Sequence, residues 1–143
     1  MTLRGDNNVV GVVPLLLVTS MERSLAYYLA RLGFKMTSKW VVGGKVRWCK
    51  LELGAAALML QELPKAPTGN LGEGTSFWFQ CKDALAIYDD FKSQKVEASE
   101  PEVGNAMWYT TLFDPDGYRL HFGSATDVPE DTKLSDVRRA GSS

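Results

Sequence analysis

The chain has 143 residues, 45% of them apolar and 23% charged, with Lys and Arg numbering 16 against 17 Asp and Glu. That composition suits a globular domain able to bury a core, and a net charge of -1 offers no basic surface for nucleic acid. The longest apolar run, VVGVVPLLLV at 9–18, is broken by Gly11 and Pro14, so nothing reads as a membrane span or a secretion signal.

Residues 1–10 are polar and read as a flexible lead-in. VVPLLLV at 12–18 is a short run rich in Val and Leu, the pattern of a buried strand. A helix is expected over 19–33. Thr19 and Glu22 have capping-box spacing, Gly33 suits the stop, and Leu25, Tyr28, Leu29 and Leu32 share a face. Strands follow at 34–42, 45–53 and 55–63, the first two joined by the Gly43-Gly44 turn. The first half is therefore β-α-β-β-β.

PKAPTGNLGEG at 64–74 is a connector, rich in Pro and Gly. The order then restarts, with a strand at 75–81, a helix at 82–95 capped by Asp83, and strands at 96–100, 105–113 and 118–124. DPDG at 114–117 is a turn, its carboxylates serving turn chemistry. Residues 125–143 are polar and small and read as an extended or partly ordered tail. Cys49 and Cys81 sit in strand-like segments with no CxxC or Cys/His cluster. They read as reduced core thiols of a cytoplasmic protein, and a structural zinc site is excluded.

The two halves repeat. Trp48 and Trp108, Gln61 and His121, and Tyr28 and Tyr88 are each 60 residues apart, while Ser20 and Asp83 are 63 apart. Such register across a half indicates duplication, with three residues lost at the start of the second helix. The modules run over 11–63 and 75–124, giving an α+β fold of two tandem βαβββ units.

MERSLAYYLARLGF at 21–34 and DPDGYRLHF at 114–122 resemble the first helix and the last turn and strand of the vicinal oxygen chelate superfamily, which includes glyoxalases, bleomycin resistance proteins and extradiol dioxygenases. The resemblance spans about residues 10–124. It implies a curved mixed-sheet cup with helices on the convex side and a ligand cleft on the concave side. In metal-dependent members four strand positions supply the ligands. Carried over by motif, these are Val13, Gln61, Ser76 and His121, the last being the only histidine of the chain. Only His121 is a strong donor, with Gln61 a weak second. A catalytic divalent site needs about three good protein ligands. No cofactor is therefore expected.

Strand alternation puts Met59 with Gln61, Trp78 with Ser76, and Arg119 with His121. With Trp48 and Trp108 as walls, these residues describe an apolar cleft with sparse orienting polar groups. The resemblance then implies a metal-free, homodimeric binding protein that sequesters a small aromatic or peptide-like compound, close in character to the bleomycin resistance group. The alternatives are a divalent-metal lyase, isomerase or dioxygenase with an atypical site around His121 and Gln61, and a non-catalytic interaction module. Membrane and nucleic acid are not among the expected partners.

Overall fold

A computed structural model describes residues 5–65 and 69–141. After a single short turn of helix, α1 (Gly5–Asn8), the first half runs β1 (Leu15–Val18), α2 (Met21–Leu25), β2 (Lys35–Val42), β3 (Lys45–Leu53) and β4 (Ala56–Glu62). The second half runs β5 (Ser76–Gln80), α3 (Ala84–Ser93), β6 (Glu102–Gly104), β7 (Met107–Phe113) and β8 (Arg119–Ala125), and α4 (Leu134–Gly141) follows. Each half is a four-stranded mixed sheet, in the orders β1-β4-β3-β2 and β5-β8-β7-β6. The first and last strands of each half pair in parallel. This is the tandem βαβββ, α+β architecture that the sequence predicts. The middle of the connector, 66–68, lies outside the described residues.

Local chemistry sets the boundaries. β1 starts after Pro14, which has no N–H for the ladder but accepts from the Met59 amide through its carbonyl at 2.8 Å. The N-cap of α2 is Ser20 rather than the expected Thr19. The Ser20 hydroxyl accepts from the Arg23 amide at 3.2 Å, while Thr19 is drawn away to the Asp116 carboxylate, its hydroxyl donating at 2.7 Å. From Ala26 to Arg31 the helix widens into π-helical turns, with the Leu32 amide reaching the Tyr27 carbonyl at 3.0 Å. Asp83 caps α3 as expected, accepting from the Leu85 and Ala86 amides, both at 3.1 Å.

One expected strand is displaced in the second half. Residues 96–100 form no strand. Ser99 instead ties this segment to β7, accepting from the Thr111 amide at 2.8 Å through its hydroxyl, and the strand is displaced to Glu102–Gly104 beyond Pro101. The C-terminal segment is partly ordered, with a helix over Leu134–Gly141. Buried Leu134 opens α4 and packs with Val128 against Ala84, Val103 and Trp108. Arg138 forks onto Asp89 of α3 at 3.0 and 2.9 Å.

One apolar core joins the helix-facing sides of both halves. Tyr28 meets Phe34, which meets Phe79, which stacks on Phe122 at 4.6 Å and 8°. The DPDG turn fastens this junction, so its carboxylates do more than shape a turn. Tyr28 donates its hydroxyl to the Asp114 carboxylate at 2.7 Å, and the Asp116 and Tyr118 amides donate to the other oxygen at 2.8 and 2.9 Å. Burial, the leading cause, pushes the Asp114 carboxyl upward against these donors. The connector seats on the same turn, where a Cβ on Gly72 would strike the Tyr118 backbone. The opposite faces of the two sheets are left without helices, with Leu15, Leu17, Trp40, Trp78 and Phe113 exposed there.

Candidate functional site

β8 carries the sole histidine. Along it Leu120 and Phe122 turn into the core while Arg119 and His121 turn to the open face. The ladders then fix the neighbours. His121 lies between Trp78 and Thr111, Arg119 between Ser76 and Phe113, and Gly123 between Gln80 and Tyr109. The Trp78 and His121 rings stack with centroids 4.2 Å apart and planes 21° apart. Tyr109 closes one side, its ring 5.4 Å from Trp78 and 6.3 Å from His121. Trp78 is 44% exposed, so the part of its ring outside the stack is open to incoming molecules.

Two contacts orient this platform. The His121 Nδ1 lies 2.7 Å from the Thr111 hydroxyl, which fixes the ring and leaves Nε2 for other partners. The Tyr109 hydroxyl donates to Glu102 at 2.9 Å, and that bond, more than burial, pushes the phenol pKa up. Burial, and then the Arg119 charge, hold the His121 imidazole below its ordinary pKa of 6.5, so the ring is neutral at pH 7. The Arg119 guanidinium lies over the Phe113 ring at 5.4 Å.

The first sheet brings a different row to its open face. Gln61 lies between Leu17 and Trp48, with Trp40 beyond Trp48, and Met59 lies between Leu15 and Lys50. A cleft of about 390 Å³ links the halves, lined by Pro14 and Ala57 from the first and by Phe77, Trp78 and Gln80 from the second. Its size is within the range of small-molecule pockets. A second cleft of about 410 Å³ adjoins it across Ala56 and Phe79 and reaches Cys81. Neither thiol is activated, because burial raises Cys81 and pushes Cys49 up to about 11.

The ladders separate what the repeat of 60 had merged. Gln61 and His121 do correspond, but β1 aligns Leu15, not Val13, with Ser76. Trp48 corresponds to Thr111, since these are the cross-strand partners of Gln61 and His121. Trp108 is therefore not a cleft wall. It points to the helix side and is buried with Val103 and Leu134. The three-residue shift falls at the last turn, where the first hairpin pairs on to Leu53 and Ala56 but the second stops at Phe113 and Arg119. The helices keep a constant offset, with caps Ser20 and Asp83 and buried Tyr28 and Phe91 each 63 apart. Tyr109, Thr111 and Phe113 are the open-face neighbours of β8 that sequence reasoning missed. Alternation along β7, counted from the DPDG turn, was the signal for them.

Some members of this fold use a divalent metal, and the donors here do not fit one. The four positions carried over are Val13, Gln61, Ser76 and His121, and whether Val13 or Leu15, the ladder equivalent of Ser76, stands for the first, they offer one imidazole, one amide, one hydroxyl and a hydrocarbon. No hydrogen bond joins Gln61 to His121, whose own ring partner is Thr111. Among the described residues no three His, Cys, Asp or Glu side chains converge.

Comparison with known proteins agrees with this architecture. A search of the curated proteins found no sequence match. Similar solved structures include TnmS3, an antibiotic binding protein from Streptomyces sp. CB03234, at 18% identity and TM-score 0.62 over 82% of this chain and 98% of that one. They also include TioX from Micromonospora sp. ML1, at 15% identity and TM-score 0.63 over 80% and 99%. A lactoylglutathione lyase from Agrobacterium tumefaciens matches at 14% identity and TM-score 0.61 over 81% and 94%. At such identities these likenesses concern the fold alone. The family model covers residues 10–122, from the run before β1 to the end of the stacked platform. The chain thus belongs to the Glyoxalase/Bleomycin resistance protein/Dioxygenase superfamily.

Proposed function

We propose that the protein is a metal-free binding protein that sequesters a small aromatic or peptide-like compound without breaking a bond in it. The observation that carries this reading is the exposed stack of Trp78 on neutral His121, set beside an apolar cleft with few polar groups. A flat ring laid on that stack gains dispersion and quadrupole attraction, while Gln61, Gln80 and Ser76 supply orientation. The donor set supports binding over Lewis-acid catalysis, because a polarising metal needs ligands that these positions lack. The antibiotic-binding role named for TnmS3 lends the same direction. The uncovered apolar side chains of both open faces favour a homodimer in which a second copy roofs the cleft. The free thiols Cys49 and Cys81 fit a reducing, cytoplasmic setting. Among the described residues no helix is long and apolar enough to cross a membrane.

The test combines ligand screening with metal analysis. Protein purified without chelator is expected to hold far less than one equivalent of transition metal and to show saturable tryptophan quenching with planar aromatic compounds. Trp78→Ala is expected to weaken that binding about 30-fold, the scale of an aromatic hot spot. A stoichiometric metal that is lost on His121→Ala would establish the enzymatic alternative instead.

A further inference from the structure

Resting on that reading of the cleft, the charge pattern around Arg119 goes further. On the open face of the second sheet Arg119 stands one pleat from His121, about 7 Å along β8. Its cross-strand neighbours are Ser76 and Phe113, neither of them acidic. The two carboxylates nearest in sequence are turned away and occupied. Asp114 is held by the Tyr28 hydroxyl, and Asp116 by Thr19 and, at 3.7 Å, by Arg23. Glu102 lies at the far end of the face and accepts from Tyr109. Among the described residues Arg119 makes no ion pair; its only ring contact is the stack on Phe113. That contact uses the ring face and none of the guanidinium N–H groups, which stay available to an anion.

Across the cleft, the charges of the first sheet do not reverse this sign. Lys50 and Glu52 lie 4.0 Å apart along β3 and Lys35 stands across from Glu52, so that face adds no net negative charge and Arg119 is the uncompensated charge of the platform. We infer that the compound bound on Trp78 and His121 is a planar aromatic carboxylate, its ring on the stack and its carboxylate forked onto Arg119. A cationic compound would meet an unpaired guanidinium, with Glu102 engaged by Tyr109 and Glu97 set beyond Phe113 and Thr111 at the edge of β7. An arginine is also the side chain whose geometry matches a carboxylate with two parallel hydrogen bonds.

Calorimetric titration with 2-naphthoate, 2-naphthamide and 2-naphthylmethylammonium tests the assignment at constant ionic strength. The acid is expected to bind at least tenfold more tightly than the amide, with the ammonium compound weakest. In Arg119→Gln the ratio of acid to amide should fall to about one, while Arg119→Lys should keep most of it. Melting temperatures of both variants check that they are folded. Trp78→Ala should weaken acid and amide alike. Equal binding of acid and amide to the native protein, with both dependent on Trp78, would overturn the carboxylate assignment and leave the binding function standing. A preference that survives Arg119→Gln would overturn it too. Heat from none of the three probes would count against the cleft and the carboxylate together.

Discussion

His121 shows how far a single side chain can be read before its surroundings are known. Its residue type invites metal or acid–base chemistry, and the missing partner donors were visible in the sequence because Gln61, Ser76 and an apolar first-strand residue stand where ligands would. What the sequence did not give was the ring's real company, Trp78 and Thr111, because a ladder register decides those contacts. Burial and the Arg119 charge both favour the neutral imidazole, with burial the larger cause. The sign for stability follows. A folded-state pKa below 6.5 means the unfolded chain binds the proton more readily, so this group's contribution is present above pH 6.5 and is lost as pH falls through the folded value. Since the chain has one histidine, a proton NMR titration reads it directly. The midpoint is expected below 6.5 in the native protein and nearer to it in Arg119→Gln, where the repelling charge is gone. A native midpoint above 6.5 would mean that a carboxylate faces the ring and that the local charge has been misassigned.

At the scale of elements, the strands with clean alternation or a diagnostic turn were legible to within a residue or two. The Gly43-Gly44 hairpin and the DPDG turn fall where the turn residues put them. Elements held by one anchor were not. Among the side chains of α4 that are described only Leu134 is buried, so its segment reads as a polar tail. β6 has three residues and is held between β7 and the backbone of Asp131 and Thr132, which bonds Val103. Trp108 was assigned to the wrong face because a match at 60 residues ignores that the β7–β8 connection is three residues shorter than its counterpart. The faces now predict opposite phenotypes. Trp108→Ala, emptying a site that is 6% exposed, is expected to cost about 3–5 kcal/mol. Leu134→Ala should cost about 2–4 kcal/mol by the same cavity mechanism. Neither should alter the preference among ligands, whereas Trp78→Ala should leave chemical denaturation within about 1 kcal/mol of native while losing ligand. A Trp108→Ala protein that melts like the native one would restore Trp108 to the cleft.

For the whole molecule, the duplication explains both the fold and the asymmetry of the site. Two βαβββ halves share one core through Tyr28, Phe34, Phe79 and Phe122, and the Asp114 turn of the second half receives the helix of the first. Each half presents the same position on its open face, yet the first fills it with Gln61 between Leu17 and Trp48 and the second with His121 between Trp78 and Thr111. One side sets Gln61 among Leu17, Trp48 and Trp40, and the other is an aromatic platform with a cation. The fold was legible in the sequence because turn residues and periodicity are local. Half of the platform was not, because its members meet only through pairing. The most direct measurement of the central claim follows the ring protons of His121 by NMR while planar aromatic compounds are added. A compound stacked on Trp78 and His121 should move this single signal upfield and saturate at one equivalent per chain, with the compound recovered unchanged. Saturable binding that leaves the His121 signal in place, or recovery of the compound chemically altered, would contradict it.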